Sequence, residues 1–396
     1  MNILLLNAGS SSLKTSVLDR ANGTVRVHGS ADWAGAQTHY RFQVSGSSPM
    51  METVSWKGHE QGVDRFLRDL EQNDAAAEIG RATLTAVGHR FVHGGEFTTS
   101  LQINDDVRSK LAALADLAPL HNPPSLETLD AAEEELPEVP HVAVFDTTFH
   151  ATLPPEAYRY PLPRQWNLEW GIRRYGFHGL SHAYCSRRAA EMLGRPVEDL
   201  KLVICHLGHG CSAAAVKGGR CVDTTMGFTP LDGLMMATRS GSVDPGILFY
   251  VQQHHGLTVE QVEVALNRES GLLGVSGISA DMREVQAAAD EGHADAMLAL
   301  AIYAHRVRQA VGALAVTMGG VDALIFTAGV GEHASGMRAS ICEGLDCLGL
   351  KLDPSANAES KPDADVSAAD STGRILVIGT REDLEMYREV VRVTGA

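Results

Sequence analysis

Residues 3 to 18, ILLLNAGSSSLKTSVL, run apolar, break into small polar residues and resume as an alternating stretch. That pattern predicts strand, tight turn, strand. It returns at 201 to 217, KLVICHLGHGCSAAAVK, where an apolar strand ends in a polar residue (Asn7 in the first copy, His206 in the second), a glycine turn carries Ser212, and a second strand follows. Two copies about half a chain apart imply a duplicated α/β architecture.

The intervening pattern fills in the rest. Short alternating segments between 22 and 60 predict antiparallel strands that extend the first hairpin, and a helix follows at 62 to 73. TAVGHRFVHGGEF (85 to 97) reads as a strand running into a glycine-rich loop. Helices are expected at 105 to 117 and 124 to 136, around a proline-stiffened loop holding His121. HVAVFD (141 to 146) is a strand ending on an acid, and the proline-rich stretch 153 to 163 suits a crossing between domains. The expected division is therefore 1–150 and 151–383, with a helix at 384–396 folding back on the first domain. In the second half we expect helices at 183 to 193, 258 to 267, 281 to 291 and 294 to 318, a loop rich in Gly, Thr and Met at 223 to 246, and a strand feeding a glycine turn and a helix at 322 to 333. A last strand and helix occupy 374 to 391.

At 396 residues the chain is long enough for two domains with proper cores. Its formal charge of −16 argues against nucleic acid or an acidic membrane as partner, so phosphate binding must come from local arginines. The six cysteines form no C-x-x-C pair and no metal-ligand spacing with histidine. With neither a signal-peptide pattern nor an apolar run of membrane-spanning length, the expected location is cytoplasmic.

The chemistry concentrates in loops. Gly9, Ser10, Ser11 and Ser12 leave turn N–H groups open to an anion that Lys14 also reaches, although an ordinary hairpin turn has the same composition. Gly208, Gly210 and Ala213 match a dinucleotide pattern, but a strand rather than a helix follows them. Gly329, Gly331 and Ala334 match it between a predicted strand and helix, which suits either an anion at a helix start or a closely packed turn. There is no G-x-x-x-x-G-K-[ST] motif. Arg90 and Arg239 lie in glycine-dense loops suited to bidentate contact with phosphate or carboxylate. His121 and His178 lie in loops stiffened by proline or glycine, and Asp146 and Glu382 follow apolar strands, where metal-binding acids and helix caps both occur.

In order along the chain, LNAGSSSLK, VGHRFVHGG, APLHNPPSL, VFDTTFH, RRYGFHGLSHAY, HLGHGCS, DTTMGFTPLDGLMM, TRSGSVDPG, SGLLGVSGISADMR and FTAGVGE resemble the acetate kinase family from residue 2 to about 391. The resemblance implies reversible ATP-dependent phosphorylation of acetate to acetyl phosphate. It also implies two duplicated actin-like ATPase (ribonuclease H-like) domains around a central cleft, with homodimers formed through the second domain. Carried over by position, Asn7 and Glu382 would hold Mg²⁺ (or Mn²⁺), and Lys14, Ser10 and Ser12 would face the ATP/ADP phosphates. Arg90 would bind the acetate carboxylate, Asp146 would be the acid usually given a proton-transfer role, and His178 and Arg239 would stabilise the transferring phosphoryl group with His121 nearby. Val92, Leu120, Phe177 and Pro230 would form the methyl pocket. The nucleotide would lie against His206, Leu207, Gly208, His209 and Gly210, against Asp281, Met282 and Arg283, and against Gly329, Val330, Gly331, Glu332 and His333.

Departures gather on the donor side. GHG stands for the usual G-N-G, GEH for GEN and TRED for T-N-E-E, which introduces His209, His333 and Arg381, and Ser242 replaces an expected acid. Two alternatives follow: a kinase preferring propionate or butyrate, against which Val92 argues, and an altered donor such as pyrophosphate.

Overall fold

The computed structural model describes residues 1–114 and 122–395. The tail of the helix expected at 105 to 117, and both Leu120 and His121, lie outside the described residues. The chain divides into two compact units, Met1–Thr148 with Arg381–Ala396, and Phe149–Thr380.

In the first unit the expected hairpin is β1 (Asn2–Gly9) and β2 (Ser12–Asp19), followed by β3 (Val25–Asp32), β4 (Thr38–Val44), β5 (Met50–Val54), β6 (Leu84–Phe91), β7 (Leu101–Gln102) and β8 (His141–Phe145). They form one sheet in the order β5-β4-β3-β2-β1-β6-β8-β7. The strand alternation sends Leu4, Leu6, Leu13, Val17 and Phe42 into a core against Val63, Phe66, Leu67 and Leu70 of helix α1 (His59–Gln72). Helix α2 (Asp105–Ala113) starts where the Asn104 side chain accepts from the Val107 N–H, with Asp105 and Asp106 favourably placed in its first turn. Helix α3 spans Asn122–Glu135. The C-terminal helix, Glu382–Thr394, packs on β1, β6 and β8. Gly88 on β6 permits this: a Cβ there would come within 2.6 Å of Val390 and 2.8 Å of Leu5.

In the second unit the repeated hairpin is β9 (Lys201–Leu207) and β10 (Cys211–Lys217), joined by β11 (Arg220–Thr224), β12 (Ala323–Thr327), β13 (Ala364–Asp365) and β14 (Arg374–Val377) in the order β11-β10-β9-β12-β14-β13. Strand β12 runs parallel to β9 and to β14, just as β6 runs parallel to β1 and to β8. The two sheets thus repeat one topology, a three-stranded meander continued by two parallel strands. This is the duplication expected from the paired hairpins.

The helices of this unit are α4 (Pro155–Tyr158), α5 (Arg164–Leu168), α6 (Gly179–Leu193), α7 (Pro245–His255), α8 (Val259–Arg268), α9 (Gly271–Ser276), α10 (Met282–Asp290), α11 (Ala294–Met318), α12 (Ala328–His333), α13 (Ser335–Cys342) and α14 (Pro354–Glu359). Strands β11 and β13 and helices α4, α5, α7, α9, α13 and α14 have no counterpart among the expected elements. Helix α7 buries none of its residues and exposes Ile247, Phe249 and Tyr250, so it lacks the one-sided pattern that marks a core helix. Helix α6 begins at Gly179 rather than at 183, because His178 occupies its N-cap position. Among the described residues no helix is long and apolar enough to cross a membrane.

Candidate active site

In the first unit, three oxygen-bearing side chains from distant parts of the sequence gather on Arg90, at the end of β6. Asp146 follows β8 and is buried; Arg90 donates to it twice, Nε to Oδ1 at 2.9 Å and Nη2 to Oδ2 at 2.6 Å. Nη1 donates to Asn7 Oδ1 at 3.1 Å and lies 3.5 Å from Glu382 Oε2 at the start of the C-terminal helix. Burial disfavours the Arg90 charge, but Asp146 and Glu382 outweigh it and hold the guanidinium pKa above its ordinary value. Its backbone carbonyl accepts from Ser125 at 2.9 Å, so the residue is fixed at both ends.

Asn7 pairs directly with Lys14 across the β1–β2 ladder, which places both side chains on the same face of the sheet. Lys14 and Ser10 are exposed, and Ser12 pairs with Gly9 to close the turn. His59 holds that turn from behind, donating from Nε2 to the Gly9 carbonyl at 2.9 Å while Nδ1 meets Glu127 at 3.0 Å. Val92, half-buried, follows β6. Burial pushes neighbouring His93 down to about 4.

In the second unit, His178 caps α6 with a left-handed backbone at φ 58°, one of two non-glycine residues in that region among those described; the other is Ala328. Such strain concentrates at functional loops. His178 Nδ1 lies 2.9 Å from Ser212 Oγ, and its ring stacks on His206 with centroids 4.1 Å apart. A Cβ on Gly210 would lie 3.4 Å from His178 Nε2 and 3.5 Å from Arg239 Nη1, and one on Gly208 would lie 3.6 Å from both His206 Nε2 and the Ala328 Cβ. The backbone at Gly210, bare of a side chain, thus lies close to both His178 Nε2 and Arg239 Nη1. Leu207 is buried at the end of β9; His209 is exposed, and partial desolvation, then the Arg239 charge, lowers its pKa.

Arg239 donates to the Pro230 carbonyl at 3.2 Å and, among the described residues, pairs with no carboxylate. Burial lowers its pKa from the usual guanidinium value. A partly buried cation without a counter-ion is an anion site already arranged. Phe177 is buried and its carbonyl faces His150 Nε2 at 2.9 Å.

The remaining expected nucleotide contacts split into two groups. Gly329, Val330, Gly331, Glu332 and His333 all lie in α12, straight after β12. There the Glu332 carboxylate accepts from the Ala328 N–H at 3.0 Å and the Thr380 N–H at 2.9 Å, holding the strained turn. Asp281 caps α10 by accepting from the Arg283 N–H, and its carboxylate also pairs with the exposed Arg283 side chain; Met282 is buried.

One contributor, His182, escapes sequence reasoning. His182 Nε2 lies 2.8 Å from Ser212 Oγ, so this serine touches both histidines. The signal was present: His178 and His182 stand four residues apart at a helix start, which puts them on one face.

The family model of the acetokinase family matches residues 2–388. The chain is 47% identical to the acetate kinase of Thermoanaerobacter pseudethanolicus over 399 residues, covering 99% of each chain. It is 48% identical to that of Gloeobacter violaceus over 400 residues, covering 98% of each. Among solved structures, acetate kinase from Porphyromonas gingivalis superposes with a TM-score of 0.92 at 37% identity, and a propionate kinase from Francisella tularensis with 0.91 at 37%, each covering 99% of both chains. The chain belongs to the acetokinase family and is a phosphotransferase that carries a phosphoryl group from ATP to acetate.

Proposed function

We propose that Arg90 receives the acetate carboxylate and that His178 and Arg239 stabilise the phosphoryl group as it transfers from ATP by direct in-line attack. The observation that carries this reading is Arg239, held beside His178 Nε2 at the Gly210 backbone with no carboxylate among the described residues to neutralise it. A carboxylate approaching a polyphosphate meets repulsion of about 4 kcal/mol per charge pair at ~4 Å and an effective dielectric of ~20. Fixed guanidinium groups are therefore what the reaction most needs.

A general base has little to do, because a simple carboxylic acid with a pKa of about 4.3 is already ionised at neutral pH. Asp146 acts instead by aiming Arg90. The nucleotide lies along residues 206–210, 281–283 and 329–333, with Lys14, Ser10 and Ser12 toward its phosphates. Carried over by position, Val92, Leu120, Phe177 and Pro230 would bound the methyl group, with a supporting role for His121.

Among the described residues no three His, Cys, Asp or Glu side chains form a metal-binding group. Asn7, Asp146 and Glu382 nevertheless offer hard oxygens, and Mg²⁺ characteristically uses one or two carboxylates with water and phosphate. Asn7 and Glu382 would hold Mg²⁺, which when bound neutralises phosphate charge. The exposed Ile247, Phe249 and Tyr250 of α7 support a homodimer formed through the second unit.

Likeness to a propionate kinase favours a second reading, with the longer acid as substrate; Val92 argues for acetate. Trapping the acyl phosphate as hydroxamate tests both, with kcat/KM measured for acetate, propionate and butyrate. We expect acetate first and propionate poorer by about 10-fold or more, since one methylene is worth ~1–3 kcal/mol. A preference for propionate would replace the acetate assignment. Comparing ATP, GTP and pyrophosphate then tests the donor: we expect ATP, despite His209, His333 and Arg381, because loops absorb substitution readily.

A further inference from the structure

We propose that Ser212 and His182 act as positioning residues that fix the tautomer of His178, so that its Nε2 carries the proton and donates toward the transferring group as a neutral imidazole. This rests on the reading that His178 faces that group.

Ser212 is fully buried on β10, and among the described residues its hydroxyl meets two partners, His178 Nδ1 at 2.9 Å and His182 Nε2 at 2.8 Å. A hydroxyl has one proton to give and two lone pairs. His182 is fully buried, and its Nδ1 has no hydrogen-bond partner among the described residues. Burial, then the nearby His150 and His206, drives its pKa well below the usual value, so it is neutral and bears one N–H.

Three arrangements are conceivable. If Ser212 donates to His182, the His182 proton lies on Nδ1 as an orphaned buried donor. If Ser212 accepts from both rings, its own proton has no acceptor. Each leaves a buried donor unmade, which structures seldom tolerate. In the third, His182 Nε2–H donates to Ser212, Ser212 donates to His178 Nδ1, and the atom left over beside Ser212 among the described residues, His182 Nδ1, is a lone pair. Each buried N–H and O–H that meets at Ser212 then has an acceptor.

The consequence falls on Nε2 of His178. That nitrogen would lie 3.4 Å from a Cβ on Gly210, with Arg239 Nη1 at 3.5 Å from the same point. The two groups divide the work: Arg239 brings fixed charge and His178 a directed hydrogen bond.

The experiment is a long-range ¹H–¹⁵N correlation on the full-length protein labelled in histidine, near neutral pH, with His178 assigned from H178Q. The expected spectrum shows His178 and His182 as neutral Nε2–H tautomers. S212A should convert His178 to a tautomer mixture and lower kcat about 10-fold or more, with KM for acetate and ATP within about twofold. S212T, which keeps the hydroxyl, should restore the wild-type tautomer. A wild-type His178 that is Nδ1–H or imidazolium would overturn the inference without recourse to any variant. So would a folded S212A with the tautomer and kcat unchanged. Unchanged kcat in H178Q would instead remove the phosphoryl role of His178, while the tautomer stands or falls on the spectrum.

Discussion

Arg90 grips both oxygens of the buried Asp146 side chain with two parallel hydrogen bonds. An acid so engaged orients a cation rather than collecting protons. Asp146→Asn should lower kcat/KM for acetate by about 100-fold or more while the pH profile of the rate keeps its position. Breaking one side of this buried pair should also cost about 3 kcal/mol of stability, read from denaturant titration. A shifted pH profile with Mg²⁺ affinity intact would reinstate Asp146 as a base.

Arg239 carries its charge without a carboxylate neighbour among the described residues. Its planar fork cannot be replaced by a point charge. Arg239→Lys is expected to lower kcat by about 100-fold or more with little loss of thermal stability, since no ion pair is broken. Steady-state kinetics and a melting curve on the same preparation check both halves.

Val92 tests the acceptor pocket. Val92→Ala should raise the ratio of kcat/KM for propionate over acetate by about 10-fold, the worth of roughly one methylene. An unchanged ratio would remove Val92 from the pocket.

Ala328 holds a left-handed backbone at φ 65°, a conformation glycine adopts without strain. Ala328→Gly should therefore stabilise the protein by about 0.5–1 kcal/mol. Glu332→Ala, which takes away the carboxylate accepting from the Ala328 and Thr380 amides, should destabilise it by about 1–3 kcal/mol and raise KM for ATP. Unfolding midpoints and nucleotide titrations measure both.

His150 is fully buried, and burial, partly offset by its bond to the Phe177 carbonyl, pushes it down to about 4. The unfolded chain binds its proton below about 6.5, whereas the folded chain does not until about 4. Stability is therefore lost as pH falls through that window, by roughly 1.4 kcal/mol per pH unit for one such group. His150→Gln should flatten the fall in melting temperature between those limits.

Local pattern made much of this legible. Both hairpins, the helix Ala294–Met318 and the strand-turn-helix at Ala323–His333 follow from periodicity and glycine placement, which act over a few residues. Helix α7 stayed hidden because its apolar residues face outward instead of marking a core side. Arg90, Asp146, Asn7 and Glu382 each stand out by residue type and loop position, yet only the fold brings them to one point, because such contacts join strands far apart in sequence. Ser212 reads from the sequence as a turn residue; its bond to two histidines depends on the register of β10 against the start of α6, which no local rule encodes.

The order in which a ribosome delivers the chain gives the Gly88–Val390 contact a further meaning. Residues 1–148 emerge first, but the helix that covers one side of their sheet, and with it Glu382, arrives only after the whole second unit has been translated. Until then β1, β6 and β8 lack that cover, and the nascent amino-terminal half waits with an apolar flank exposed. Fragments ending before 382 should consequently clump and depend on chaperones, whereas adding the missing helix in trans should rescue them.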